Sequence, residues 1–212
     1  MEKLTTITSL AAPLLENAID TDIIFPARFL LLLDRDGLGK YAFNERREGR
    51  SDFVLDQPPY NTAQILVTGE NFGTGSSREQ AVWTLADLGL RCVIARSFGE
   101  IFYSNCFKNG LLPIRLNGAE MDAVEAAAKA KENITIDLNA QLISLPSGDA
   151  IGFDIQPHRK RALLAGLDEV GMILADNAGD IESYEAKQKK QYPWISVPME
   201  KLQALANEPR SS

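Results

Sequence analysis

Apolar and polar positions alternate between two rhythms through the middle of the chain. "AQILVTG" (63–69), "RCVIARS" (91–97) and "LLPIRL" (111–116) are short apolar, β-rich runs closed by turn residues, the signature of buried strands. Pro113 suits only a strand near a sheet edge, because it cannot donate to a ladder. Between these runs the period lengthens to that of a helix. From Ser76, the residues Val82, Leu85, Ala86 and Gly89 define one packed face, with Gly89 as the stop. "FGEIFYSNCFKNG" (98–110) predicts a second helix with Ile101, Phe102 and Cys106 on one side. "NGAEMDAVEAAAKAKEN" (117–133) predicts an alanine-rich third, capped at Asn117 or Gly118. Strand–helix–strand–helix–strand is a parallel α/β unit with right-handed crossovers.

The rhythm then changes. "ITIDLNAQLISL" alternates apolar and polar residues across an Asn-Ala turn and predicts an antiparallel hairpin, and "AIGFDI" adds another strand. "HRKRALLAGLDEVGMIL" and "DIESYEAKQKKQYPW" predict two closing helices. Residues 33–61 are charged, rich in turn formers and weakly periodic. They read as a long mobile excursion with few apolar anchors, of the kind that covers a site. The N-terminal "MEKLTTITSLAAPLLENA" carries a short apolar patch broken by Pro13, with both charge signs at its flanks. It reads as the start of a cytosolic protein rather than a signal peptide.

Composition narrows the function classes. At 212 residues one domain spanning 1–212 is expected. A net charge of −7 disfavours nucleic acid and anionic membranes as partners, and no apolar run reaches spanning length. The two cysteines, Cys92 and Cys106, form no CxxC pair, which argues against a disulfide framework or a self-contained metal site; none is assigned to this chain.

The chemistry gathers in "GENFGTGSSREQAVWTLADLG" (69–89), which follows a strand and opens a helix. That is the carboxyl edge of a parallel sheet, where α/β proteins bind ligands. Free first-turn amides and the helix dipole favour an anion there. Gly73 and Gly75 would open access to those amides. Arg78 adds a planar fork that grips a carboxylate or phosphate, and Ser76 and Ser77 add hydroxyls. Arg78 near a positive helix end needs a compensating anion. The plainer alternative makes Ser76 a helix cap and the glycines a turn. Neither GxxxxGK nor GxGxxG is matched, so a nucleotide loop is disfavoured. Two further polar islands stand out. "NAIDTDIIFPARFL" reads as an Asx-type turn around Asp20, Thr21 and Asp22 entering a strand, followed by Arg28. Asn105, Lys108 and Asn109 are either solvent-facing helix residues or part of a site. His158, the only histidine, reads as a surface residue.

Together "DTDIIFPARFL", "GENFGTGSSREQAVWTL" and "VIARSFGEIFYSNCFKNGLLPI" resemble, in order and over most of the chain, the small subunits of 3-isopropylmalate dehydratases of the aconitase superfamily. The ending "IESYEAKQKKQYPW" is similar to that family's C-terminal helix. The resemblance implies a swivelling β/β/α domain of the aconitase C-terminal type. It implies a large-subunit partner carrying a [4Fe-4S] cluster on its own cysteines, and a small dicarboxylate substrate, 2-isopropylmalate, isomerised to 3-isopropylmalate by loss and re-addition of water. It implies Ser76 as the base that takes the Cα proton, and Ser77 and Arg78 as carboxylate ligands. Asp22 lines the site, with Thr21, Arg28 and Gly75 as further substrate-side residues. The chain departs from the family at Thr74 and Gln80, where cysteine and histidine are expected, so this loop holds no thiol. Sister hydro-lyases acting on homoaconitate or methylmalate-type substrates share the length and motifs. The apolar "FLLLLD" favours an isopropyl group over a further carboxylate. A stand-alone anion-binding domain is the rival of another class.

Overall fold

The computed structural model describes residues 1–32, 34–75 and 78–195. Among the described residues there are seven strands, β1 (Thr6–Leu14), β2 (Ile65–Thr68), β3 (Cys92–Ala95), β4 (Leu112–Arg115), β5 (Asn133–Asp137), β6 (Leu142–Ser144) and β7 (Ala150–Gly152). The helices are α1 (Thr21–Ile24), α2 (Asn44–Arg47), α3 (Gln80–Asp87), α4 (Glu100–Lys108), α5 (Gly118–Lys129), α6 (Pro157–Ala165) and α7 (Glu169–Gln191). The strands form one mixed sheet in the order β4-β3-β2-β1-β5-β6-β7. β1 to β4 pair in parallel, while β5, β6 and β7 continue from β1 antiparallel.

The parallel unit and the hairpin stand as the sequence pattern predicts, and Pro113 lies on the edge strand β4. The strand the pattern missed is β1, which joins the two halves. Its first half, from Thr6 to Leu10, pairs with β5, and its second half, from Ala11 to Leu14, pairs with β2. Pro13 sits in the half with a single strand neighbour, where a missing N–H is tolerated. A proline that reads as a breaker is thus carried inside the sheet's central strand.

Both faces of β2 and β3 are buried, with side chains alternating between two cores. Leu66, Val93 and Ala95 face the core beneath α3 and the 34–61 excursion. Ile65, Val67, Cys92 and Ile94 face the core beneath α5 and α6. A parallel sheet covered on both sides has this near-continuous apolar composition. On α5, Met121, Val124 and Ala128 make the buried stripe.

Three expectations are corrected. α3 begins at Gln80 rather than at Ser76. Ile101 is 53% exposed, so the packed side of α4 is Phe102, Cys106 and Phe107. The first closing helix stops at Gly166, which takes a left-handed conformation (φ 71°). The chain then continues as α7, interrupted only by a non-helical Asn177. The chain divides into two compact units, Met1–Glu169 and Val170–Ser212; the sheet and both cores belong to the first.

The excursion carries more apolar anchors than its charge suggests. Leu38, Ala42, Phe43, Phe53, Leu55 and Tyr60 are all buried. Phe43 donates its amide to Ile24 O at 2.9 Å, and Gly39 donates to the Asp87 carboxylate at 2.6 Å, tying the segment to α1 and α3. Arg47 binds Asp56 through Nε at 2.8 Å and also reaches Ala42 O at 3.2 Å. These aromatics are spaced irregularly, so no periodicity advertises them.

Candidate functional site

The loops leaving β1, β2 and β3 run side by side at the carboxyl edge of the sheet. The β2 loop is the central one. Gly69 donates to Glu16 O and Gly73 to Ile19 O on the β1 side, at 3.2 and 2.7 Å. Phe72 donates to Ser97 O on the β3 side at 3.0 Å. Two side chains finish the set: Asn17 Oδ1 accepts from Glu70 N, and Ser97 Oγ from Asn71 N, both at 2.8 Å. In return Thr74 O accepts from Thr21 N at 3.0 Å, and Phe72 O from Gly99 N at 2.9 Å. The parallel pairing of the strands is thereby prolonged past their ends, with bridges Asp20–Thr74 and Phe72–Phe98.

This geometry corrects the expectation for Gly73 alone; the amides expected to take an anion are those of the first helical turn, further along the chain. The amides of residues 69–73 are already spent on protein acceptors, so they cannot receive an anion. Gly73 has φ 70°, and a Cβ built on it would lie 2.2 Å from the Phe102 ring. Its missing side chain makes room for that ring, not for a ligand. Phe72 meets Phe102 edge-on at 5.4 Å between centroids and Phe98 at 6.3 Å, so the loop rests on an aromatic floor. A methyl group there overpacks a rigid contact and strains a left-handed backbone. Gly73→Ala is expected to cost about 1–3 kcal/mol, lowering Tm by roughly 2–12 °C at about 2–4 °C per kcal/mol for a chain of this size. A thermal melt of the isolated chain measures this; an unchanged Tm would show that Phe102 moves aside freely.

Ser76 and Ser77 lie outside the described residues. Arg78 is described, and it sits just before α3, donating through Nη1 to the Asp22 carboxylate. Its side chain is 20% exposed and that of Asp22 is 53% exposed. Asp22 is in the first turn of α1, whose N-cap is Asp20: Asp20 Oδ1 accepts from Ile23 N at 2.8 Å. The "DTD" stretch therefore starts a short helix rather than entering a strand. The anion that compensates Arg78 beside the positive end of α3 is supplied by the protein itself.

The other expected residues are placed as follows. Thr21 is buried at 1% exposure, and its hydroxyl lies 3.7 Å from where a Cβ on Gly75 would stand. Gly75 is exposed, with φ 94°. Arg28 points to the excursion, pairing with Glu45 at 3.0 Å and Glu48 at 3.4 Å. In the third island, Asn109 joins the site's support: its Nδ2 donates to Glu79 Oε1 at 2.8 Å and to Asn105 O at 2.9 Å, holding the residue at the N-cap position of α3. Lys108 pairs with Glu169 at 3.4 Å, and His158 is exposed.

Asn17 and Ser97 are the supporting residues the sequence reading did not single out, while Asn109 belongs to the third island it named. For Asn17 and Ser97 the signal was present. An Asn or Ser two or three residues past a strand commonly hydrogen-bonds the neighbouring backbone.

Among the described residues no group of three or more His, Cys, Asp or Glu side chains could hold a metal ion. Cys92 and Cys106 are fully buried, in different elements, and burial pushes both thiols well above their ordinary pKa. A cluster needs thiolates, so these two do not fit one on this chain. Among the described residues no helix is long and apolar enough to cross a membrane.

Comparison with known proteins decides among the hydro-lyases and anion-binding domains that such a loop could serve. The aconitase C-terminal domain model matches residues 1–119, and a second model, LeuD_N, matches residues 121–157. A 3-isopropylmalate dehydratase small subunit from Afipia carboxidovorans is 49% identical over 92% of this chain and the whole of that protein. The same holds for one from Dinoroseobacter shibae, also 49% identical with the same coverage. The chain belongs to the 3-isopropylmalate dehydratase small-subunit family, within the aconitase C-terminal domain fold. A crystal structure of a 3-isopropylmalate dehydratase from Methanocaldococcus jannaschii is 29% identical. It covers 85% of this chain and 99% of its own, with a TM-score of 0.63. The mixed α/β fold is shared with that structure.

Proposed function

We propose that the chain is the small subunit of a 3-isopropylmalate dehydratase, a hydro-lyase that isomerises 2-isopropylmalate to 3-isopropylmalate in leucine biosynthesis. The observation that carries the chemistry is the Arg78 fork, held at the carboxyl edge of the sheet and engaged with a carboxylate, that of Asp22. A site that seats an internal carboxylate has the donors and charge to seat a substrate's. Arg78 and Ser77 hold that group, and Ser76 removes the proton from the adjacent carbon. A serine hydroxyl is a weak acid, so its ionised form needs local positive potential. Arg78 and the start of α3 supply it. The same donors stabilise the charge that spreads onto the carboxylate as the proton leaves. Thr21, Gly75 and Arg28 complete the substrate side, Thr21 from beneath the loop.

The partner in this reading is a large subunit that carries the [4Fe-4S] cluster on its own cysteines, and the enzyme works in the cytoplasm. The isolated chain in metal-free buffer is expected to show no turnover of 2-isopropylmalate, and activity appears on adding a cluster-loaded large subunit. Turnover by the chain alone would overturn the two-subunit reading. An assembled enzyme that turns over citramalate or homoaconitate and leaves 2-isopropylmalate untouched would move the protein to a sister hydro-lyase.

A further inference from the structure

We infer that Asp22 is an internal competitor for the Arg78 fork, occupying it in the free chain and yielding it to the substrate carboxylate. The inference rests on the reading of Arg78 as a carboxylate ligand and adds what that ligand must displace. Arg78 Nη1 already donates to Asp22 Oδ1. A guanidinium presents its paired N–H groups in one plane, so a second carboxylate gripping the same edge must move the first or share with it against charge repulsion.

The two partners are unequally free. Arg78 is the shielded member, at 20% exposure, while more than half of the Asp22 side chain meets solvent (53%). Asp22 can swing into water at little cost, whereas Arg78 stays in place. The backbone under Asp22 does not depend on the pair. α1 is capped by Asp20, and its start is tied to the β2 loop by Thr21 N–H donating to Thr74 O at 3.0 Å. Asp22 therefore keeps the fork aimed and its charge balanced until a ligand arrives. It also sets a limit on how tightly that ligand is held.

The test is steady-state kinetics of the assembled two-subunit enzyme with 2-isopropylmalate, in a double-mutant cycle of Asp22→Asn and Arg78→Ala. Asparagine keeps the shape and removes the competing charge. An exposed pair of this kind is worth a small factor, so Asp22→Asn is expected to lower KM about two- to fivefold. In the Arg78→Ala background the same change should leave KM where it is, because no fork remains to compete for. A rise in KM on Asp22→Asn overturns the inference and makes Asp22 a group that holds substrate. Equal lowering in both backgrounds also overturns it, since the effect then bypasses Arg78. If Arg78→Ala alone leaves kcat/KM unchanged, the underlying reading of Arg78 fails, and that outcome is distinct from the others. Asp22→Ala, with a thermal melt, repeats the measurement in case the asparagine variant folds poorly.

Discussion

Replacing Ser76 by alanine is expected to lower kcat by about 10²–10⁴-fold in the assembled enzyme, the usual cost of removing a general base. The expectation follows from the motif and from the neighbourhood of Arg78. The competing explanation, that Ser76 caps α3, predicts a different result. Loss of a serine cap costs about 1 kcal/mol of stability and leaves chemistry alone. α3 begins at Gln80 with Glu79 in the cap position, so that explanation has lost its geometric basis. The measurement is kcat for the Ser76→Ala complex, alongside a thermal melt and a check that the two subunits still assemble. A fall in kcat with an unchanged melt is the expected pair. Near wild-type turnover would remove Ser76 from the chemistry.

Arg78→Lys is expected to damage the enzyme nearly as much as Arg78→Ala, each losing about tenfold to a hundredfold in kcat/KM. Lysine keeps the charge and loses the planar fork that grips both oxygens of a carboxylate. A charge-assisted hydrogen bond is worth roughly 1.5–3 kcal/mol, which sets the scale of the loss. The Asp22 pair sharpens the comparison. Its partly exposed geometry makes it a minor contributor to stability, so neither variant should melt much earlier than the native chain. Loss of activity without loss of stability therefore assigns Arg78 to the substrate. Full activity of the lysine variant would reduce Arg78 to a point charge. Full activity of both variants would place the carboxylate elsewhere.

The two supports of this site differ in how visible they were. "GTGSSRE" was legible because glycines, hydroxyls and an arginine between a strand and a helix have few purely structural uses. What the glycines are for was not legible. Gly73 is a glycine because the Phe102 ring, nearly thirty positions along the chain, packs where its Cβ would be. The amides of residues 69–73 are taken by Glu16, Asn17, Ile19 and Ser97, two of them through backbone carbonyls of a loop that precedes β2 by about fifty residues.

The sequence by itself determined the parallel strand–helix unit, the antiparallel hairpin and the edge position of β4, and it singled out the segment proposed to carry the chemistry. These are local matters: side-chain period, turn residues and the chemistry of a single loop can be read from neighbours in the chain. The tertiary structure alone decided that Thr6–Leu14 is the strand joining the two halves, because a proline is acceptable only where one side of the strand has no neighbour. It decided that the 34–61 excursion is anchored by scattered aromatics with no common period. It also decided that Asp22 meets Arg78 across 56 residues of sequence. Each of these rests on a contact between distant segments. A pattern of neighbouring residues does not encode such a contact, and the packed fold creates it.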